Sequence, residues 1–204
     1  FRAYGQIILR LDDNSFLMSN DNLRLAKLTA NDFCICDINS GDIGQILRTR
    51  KDINAIVVMC TEASVEFANN NTVMKPALDD LAQIIGPDVP VVRDGSARKI
   101  LAALKQRNGC FIKGSGIITV GPDMKFAIAA ARIIEKSAEV EMYGGKLGGL
   151  KYLDGARATR LRSFGETYYG VNDEGTEPVP FVNHGSDEFS KRGQLIDCGI
   201  EMVK

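Results

Sequence analysis

The stretch DINAIVVMCTEASVEFA, residues 52–68, carries the reading of the fold. AIVVMC is a continuous apolar run of β-branched and aliphatic residues, the pattern of a strand covered on both faces. Thr61 follows it at once and stands where it can N-cap a short helix, TEASVEFANN, with Ser64 and Glu66 on the exposed side. A buried strand feeding directly into a helix is the unit from which layered α/β domains are built.

Outward from this unit the chain alternates. Toward the N-terminus, GQIILRL (5–11), DDNS, FLMS (16–19) and DFCICDI (32–38) read as a β-meander with DDNS as a hairpin connection. Residues 42–52 suit a short helix. Downstream, Pro76 opens a helix with Leu78, Leu81, Ala82 and Ile85 at helical spacing, ended by Gly86-Pro87. VPVVRDGS (89–96) gives a strand, a turn and Ser96 as the cap of a helix carrying Ile100, Ala103 and Leu104. CFIKGSGIITVG (110–121) reads as two strand pieces broken by Gly114-Ser115-Gly116. The longest helix spans 122–143, roughly 33 Å at 1.5 Å per residue. Lys125, Arg132, Glu135, Lys136 and Glu139 form its narrow polar stripe, and Gly144-Gly145 and Gly148-Gly149 end it.

The composition fits one domain of 204 residues with 45% hydrophobic and 25% charged residues. A net charge of -1 argues against a nucleic-acid binder, which needs a concentrated basic surface. The expectation is no membrane association and a cytoplasmic setting, since no apolar run reaches the roughly 20 residues of a bilayer span and FRAYGQIILR lacks a signal-peptide pattern. The five cysteines, Cys34, Cys36, Cys60, Cys110 and Cys198, read mainly as buried thiols of a reducing compartment. Cys34-x-Cys36 needs two further ligands to hold a metal, so core packing is favoured. One histidine, His184, leaves a Ser/His/Asp triad or a His cluster unsupported. Arg157, Arg160 and Arg162 fit an anion clamp or a subunit contact, with a solvated basic face as the commoner outcome.

Taken together and in order, GQIILRL…DNSFLMS…LTANDFCICDI, DINAIVVMCTEASVEFA, GPDVPVVRDGS (86–96) and NGCFIKGSGIITVGPDMKFAIAAARIIEKSAEVEMYGGKLGG (108–149) resemble the class II aldolase/adducin head domain family over about residues 4–153. The resemblance implies a three-layer α/β/α sandwich around a mostly antiparallel central sheet over residues 1–170, followed by a polar tail, 171–204. It also implies a homo-oligomer, a cyclic tetramer with the Gly114–Gly116 edge near a subunit boundary. The family's fuculose-phosphate aldolases and ribulose-phosphate 4-epimerases hold zinc with a His-x-His at the end of the buried strand and a third His in an Asn-His-Gly turn. The ion polarises a hydroxy-carbonyl substrate and stabilises its enediolate.

Carried onto this chain, the His-x-His falls on Val58-Met59-Cys60 and the Asn-His-Gly turn on Gly114-Ser115-Gly116. Val58 has no donor atom, Ser115 is a poor zinc ligand, and Cys60 offers one thiolate, so zinc is not expected. The family's acidic proton-transfer residue corresponds to about Asn39-Ser40, neither of which is a base at neutral pH. Its phosphate-binding Gly-Asn becomes Gly5-Gln6. Any surviving ligand pocket is then bordered by Gly5, Gln6, Cys60, Lys113 and Ser115, and its ligand is a small carbohydrate or phosphorylated molecule. Cys60 at a helix N-terminus has a reactive-thiol reading, Lys113 a Schiff-base reading and Gly114-x-Gly116 a phosphate-turn reading. Core packing, solvation and a simple strand break are preferred for the three. The Asn-His-Gly string at His184 lies about seventy residues past the family position. The expected function is a non-catalytic class II aldolase-like subunit, scaffold or small-ligand binder. An aldehyde-lyase or epimerase of sugar-phosphate metabolism with an unusual site is the alternative.

Overall fold

A computed structural model describes residues 3–169. The meander comprises β1 (Tyr4–Arg10), β2 (Ser15–Ser19), β3 (Leu23–Arg24) and β4 (Phe33–Asp37), and α1 (Gly41–Thr49) follows. The central unit is β5 (Ala55–Cys60) with α2 (Glu62–Asn70). Then come β6 (Val73–Met74), a π-helical turn (Leu81–Ile85), β7 (Val89–Val92), α3 (Ala97–Ala103), β8 (Gly109–Ile112), β9 (Gly116–Gly121), α4 (Met124–Gly144) and α5 (Gly155–Tyr169).

The strands form one sheet in the order β4-β2-β1-β5-β9-β8-β7-β6, with β3 also on β1. Among the described strands every pairing is antiparallel except β7 with β8. Alternation along β5 divides the core. Ala55, Val57 and Met59 pack with Phe67 of α2 and with Ala127, Ala131 and Ile134 of α4, whereas Ile56 packs with Ile46 and Leu47 of α1 and Ile100 of α3. Ile56 and Val57 are both buried. The result is the three-layer α/β/α sandwich around a mostly antiparallel sheet, with its two hydrophobic layers on opposite faces.

Several local expectations change. The helix expected from Pro76 starts only at Asp79 and widens into the π-turn, whose Gly86 N–H reaches the Leu81 carbonyl at 3.2 Å. Pro76 lies in extended chain and its carbonyl accepts from Leu153 N–H at 2.8 Å. Ser96 precedes α3 but its hydroxyl bonds Asp94 at 2.7 Å, and the Ala97 N–H is capped by Asp42 of α1 at 2.8 Å. The two strand pieces expected around Gly114-Ser115-Gly116 are β8 and β9, and the break between them is a hairpin turn, since Ile112 pairs with Gly116. Ser64 is fully buried rather than exposed, because it closes a capping box with Thr61. Glu135 leaves the polar stripe of α4 and is only 5% exposed. Arg162 is largely buried rather than solvated.

No helix among the described residues is long and apolar enough to cross a membrane. The 171–204 tail, with His184 and Cys198, lies outside the described residues.

Candidate functional site

Strand register brings the singled-out residues to one end of the sheet. On β1 and β5, Gln6 faces Val58, Gly5 faces Met59 and Tyr4 faces Cys60, while β9 sets Ile118 opposite Val58 and Ile117 opposite Met59. Val58 and Cys60, two residues apart, share a face. The β8–β9 turn lies against the same strand end. A Cβ on Gly116 would come within 2.4 Å of the Met59 carbonyl oxygen and 2.9 Å of Cys60 Cα. One on Gly5 would come within 1.9 Å of the Val58 oxygen. Glycine at both positions is therefore what lets the flanking strands close on β5.

Proximity does not make these residues a common pocket. The Gln6 amide donates to the Ser19 carbonyl at 3.0 Å, Val58 packs against the α1/α3 core, and Lys113 and Ser115 are exposed. Gly114 N–H donates to Asn69 at 3.1 Å. The shallow hollow that Cys60 lines is bordered instead by Tyr4, Thr61, Glu62, Val65 and Glu66. Its two glutamates disfavour an anionic ligand at this end.

Beneath that hollow lies a polar network that sequence reasoning missed. Thr61 Oγ1 donates to the Glu135 carboxylate, and the Ser64 hydroxyl, 2.8 Å from Thr61 Oγ1, accepts from Thr61 N–H at 3.0 Å. Burial pushes the Glu135 carboxyl above its usual range, with the Thr61 bond opposing and the Glu139 charge adding to the shift. Burial, then the Glu135 charge, pushes the Cys60 thiol up as well. Cys60 is therefore a thiol that resists ionising, the opposite of an activated nucleophile or a ready zinc thiolate.

The donor set does not fit zinc. Val58 contributes no ligand atom, Ser115 only an alcohol, and Cys60 a thiol with a raised pKa. Among the described residues no group of three or more His, Cys, Asp or Glu is placed to hold a metal. Asn39 and Ser40, where the resemblance implies the family's base, are held in a turn. The Ser40 hydroxyl donates to the Asp37 carbonyl at 2.6 Å and Asn39 N–H to the Asp37 carboxylate at 2.7 Å, so both residues serve the turn into α1.

The cysteines correct the expectation of buried thiols. Only Cys110 is buried among the four described, and its thiol is pushed up to about 12 by burial. Cys34 is exposed and Cys36 partly so, with their sulfurs 3.7 Å apart. β4 is the sheet edge, paired only with β2, so its faces are incompletely covered.

The fold has many counterparts among solved structures. An L-fuculose 1-phosphate aldolase superposes with a TM-score of 0.69 at 15% identity, covering 79% of this chain and 85% of that one. The L-fuculose-1-phosphate aldolase from Thermus thermophilus gives 0.63 at 17% identity, with coverage of 71% and 85%. YgbL from Escherichia coli gives 0.65 at 17% identity, with coverage of 78% and 87%. At such identities the likeness establishes the fold alone. No curated protein matches the sequence. Residues 2–142 match the family described as Class II Aldolase and Adducin N-terminal domain, and on that match, which the sheet order and layers bear out, the chain belongs to this family.

Proposed function

We propose that this chain is a class II aldolase-fold subunit without zinc-dependent aldolase chemistry, acting as an oligomeric scaffold or small-ligand binder. One observation supports the reading: the positions that the family resemblance assigns to the zinc ligands hold Val58, Cys60 and Ser115, none of which is a ready zinc ligand. An enediolate needs a positive centre at its two oxygens and a base at the departing proton. Val58 and Ser115 supply no such centre, the Cys60 thiol resists ionisation, and Asn39 and Ser40 supply no base. Each deficit alone costs orders of magnitude in rate, and they act on the same transition state. Self-association, in the cyclic tetramer that the family resemblance implies, is part of this proposal, and light scattering of a monomer at micromolar concentration counts against it.

The test is a retro-aldol assay of the full chain with L-fuculose 1-phosphate and with unphosphorylated deoxy-sugars, with and without added Zn²⁺. No turnover above the uncatalysed rate is expected. Metal-stimulated turnover abolished by Cys60→Ala or Ser115→Ala would return the chain to the aldehyde-lyases or epimerases.

A further inference from the structure

At the opposite end of the sheet, where β5 begins and β9 ends, a cleft of about 300 Å³ opens between the strand ends, the π-turn, the segment after α3, and α5. Its charged lining is Arg50, Lys105, Arg107 and Arg162 against Asp52 and Glu166. The cations are the inner groups. Arg50 and Arg162 side chains are 26% and 14% exposed, while their carboxylate partners Asp52 and Glu166 are 63% and 56% exposed at the rim.

Each guanidinium is held in place, Arg50 in part by Asp52, to which its Nε and Nη2 donate at 2.8 and 2.6 Å. Arg50 Nη1 donates to the Leu104 carbonyl at 2.9 Å, Arg162 Nη1 to the Ile84 carbonyl at 2.9 Å, and Arg107 Nε to Asp88 at 2.7 Å. Fixed donors lose little freedom when a ligand arrives. Arg162 Nε forms an i,i+4 ion pair with Glu166 Oε1 at 3.0 Å, off the alignment of a good hydrogen bond. Burial pulls the Arg162 pKa down against the opposing Glu166 carboxylate, with the Arg50 charge a minor addition. Lys105 is exposed at the cleft and has no ion-pair partner among the described residues.

We propose that this cleft binds a small phosphorylated molecule, its tetrahedral oxyanion seated between Arg50, Arg162 and Lys105. A volume near 300 Å³ is at the lower end of the roughly 300–1,000 Å³ of ligand pockets, room for a phosphate and a few further atoms. Planar guanidiniums and a mobile ammonium are the donors that phosphate oxygens take best. The contrast with the Cys60 end, bordered by Glu62 and Glu66, gives the molecule one end suited to anions and one that repels them. The wall that brings Arg162 is α5, beyond the 2–142 segment shared with the family. Gly165 seats that helix, since a Cβ there would stand 2.1 Å from the Gln83 oxygen. The cleft lies at the sheet end remote from Cys60, and its ligand binding does not depend on whether the β5 end is catalytic.

The test is calorimetric titration of the full chain with inorganic pyrophosphate at fixed ionic strength. Saturable binding is expected, weakened about fivefold or more by Lys105→Gln, retained by Lys105→Arg, and unchanged by Lys113→Gln at the other end of the sheet. Because Lys105 is exposed and unpaired, its variants leave the fold intact, which melting temperatures check. Absence of saturable heat, binding that Lys105→Gln leaves unchanged, or equal weakening by Lys113→Gln overturns the proposal.

Discussion

Thr61 Oγ1 donates to the Glu135 carboxylate across 74 residues of chain, tying the junction of β5 and α2 to the middle of α4. The bond gives a buried carboxylate a hydroxyl donor in place of water, and the charge it holds is close enough to raise the pKa of Cys60.

Because burial raises the Glu135 pKa in the folded chain, the native state binds the extra proton more readily than the unfolded state does. Its stabilising contribution is complete below about pH 4.5 and is lost as pH rises through the raised folded value. Glu135→Gln keeps an acceptor for Thr61 and removes the titration. Melting temperatures of the two proteins should coincide near pH 4 and separate toward pH 8 with Glu135→Gln the more stable. A variant less stable at pH 8 would show that the ionised carboxylate is the form the fold prefers.

Gly116 has φ +104° and stands closest to β5 at the Met59 carbonyl. Gly116→Ala combines a left-handed backbone with a backbone clash, and should cost about 2–4 kcal/mol in denaturant unfolding. Gly114→Ala, with φ +74° but open space around it, should cost less. Equal losses would mean that backbone conformation alone, and not the approach to β5, makes glycine necessary.

The thiols should label in the order of their surroundings. Cys34 is exposed, Cys36 and Cys60 are partly covered with raised pKa values, and Cys110 is buried with its thiol pushed up to about 12. Mass spectrometry after maleimide treatment at neutral pH should find Cys34 modified first and Cys110 only on unfolding. Early labelling of Cys110 would contradict the packing between the sheet and α3.

What was legible in the sequence is what depends on neighbours along the chain. AIVVMC declared a strand buried on both faces, and the long helix expected over 122–143 is α4, Met124–Gly144. What was not legible depends on residues far apart. The helical spacing from Leu78 to Ile85 was real, but extended chain from Met74 to Pro76 and the Leu153 contact delay the helix to Asp79. Ser64 and Glu135 read as surface residues because nothing local records that they meet at Thr61. Of the candidate site, the residue types at the positions that the resemblance assigns to zinc ligands are legible one by one. That Gly5, Gln6, Lys113 and Ser115 do not enclose a pocket with Cys60 is not. The basic cleft joins positions 50, 105, 107 and 162, and its single sequence trace was the arginine cluster at 157–162.

If the scaffold of the family site persists and only its donors are lost, restoring them should restore metal affinity. Val58 and Cys60 share a face of β5 and the β8–β9 turn abuts the same strand end. The combined V58H, C60H and S115H variant should bind zinc in calorimetric titration, whereas V58H alone should not. A folded triple variant with no zinc affinity would mean that the turn has moved away from the family geometry.

The central claim, that the end of β5 has lost its metal chemistry, is tested most directly by zinc content. The full chain and Cys60→Ala are equilibrated with Zn²⁺, freed of unbound metal and measured by elemental analysis. The account predicts the same zinc content in both proteins, with none that depends on Cys60. One zinc per chain in the natural protein, lost in Cys60→Ala, would contradict it.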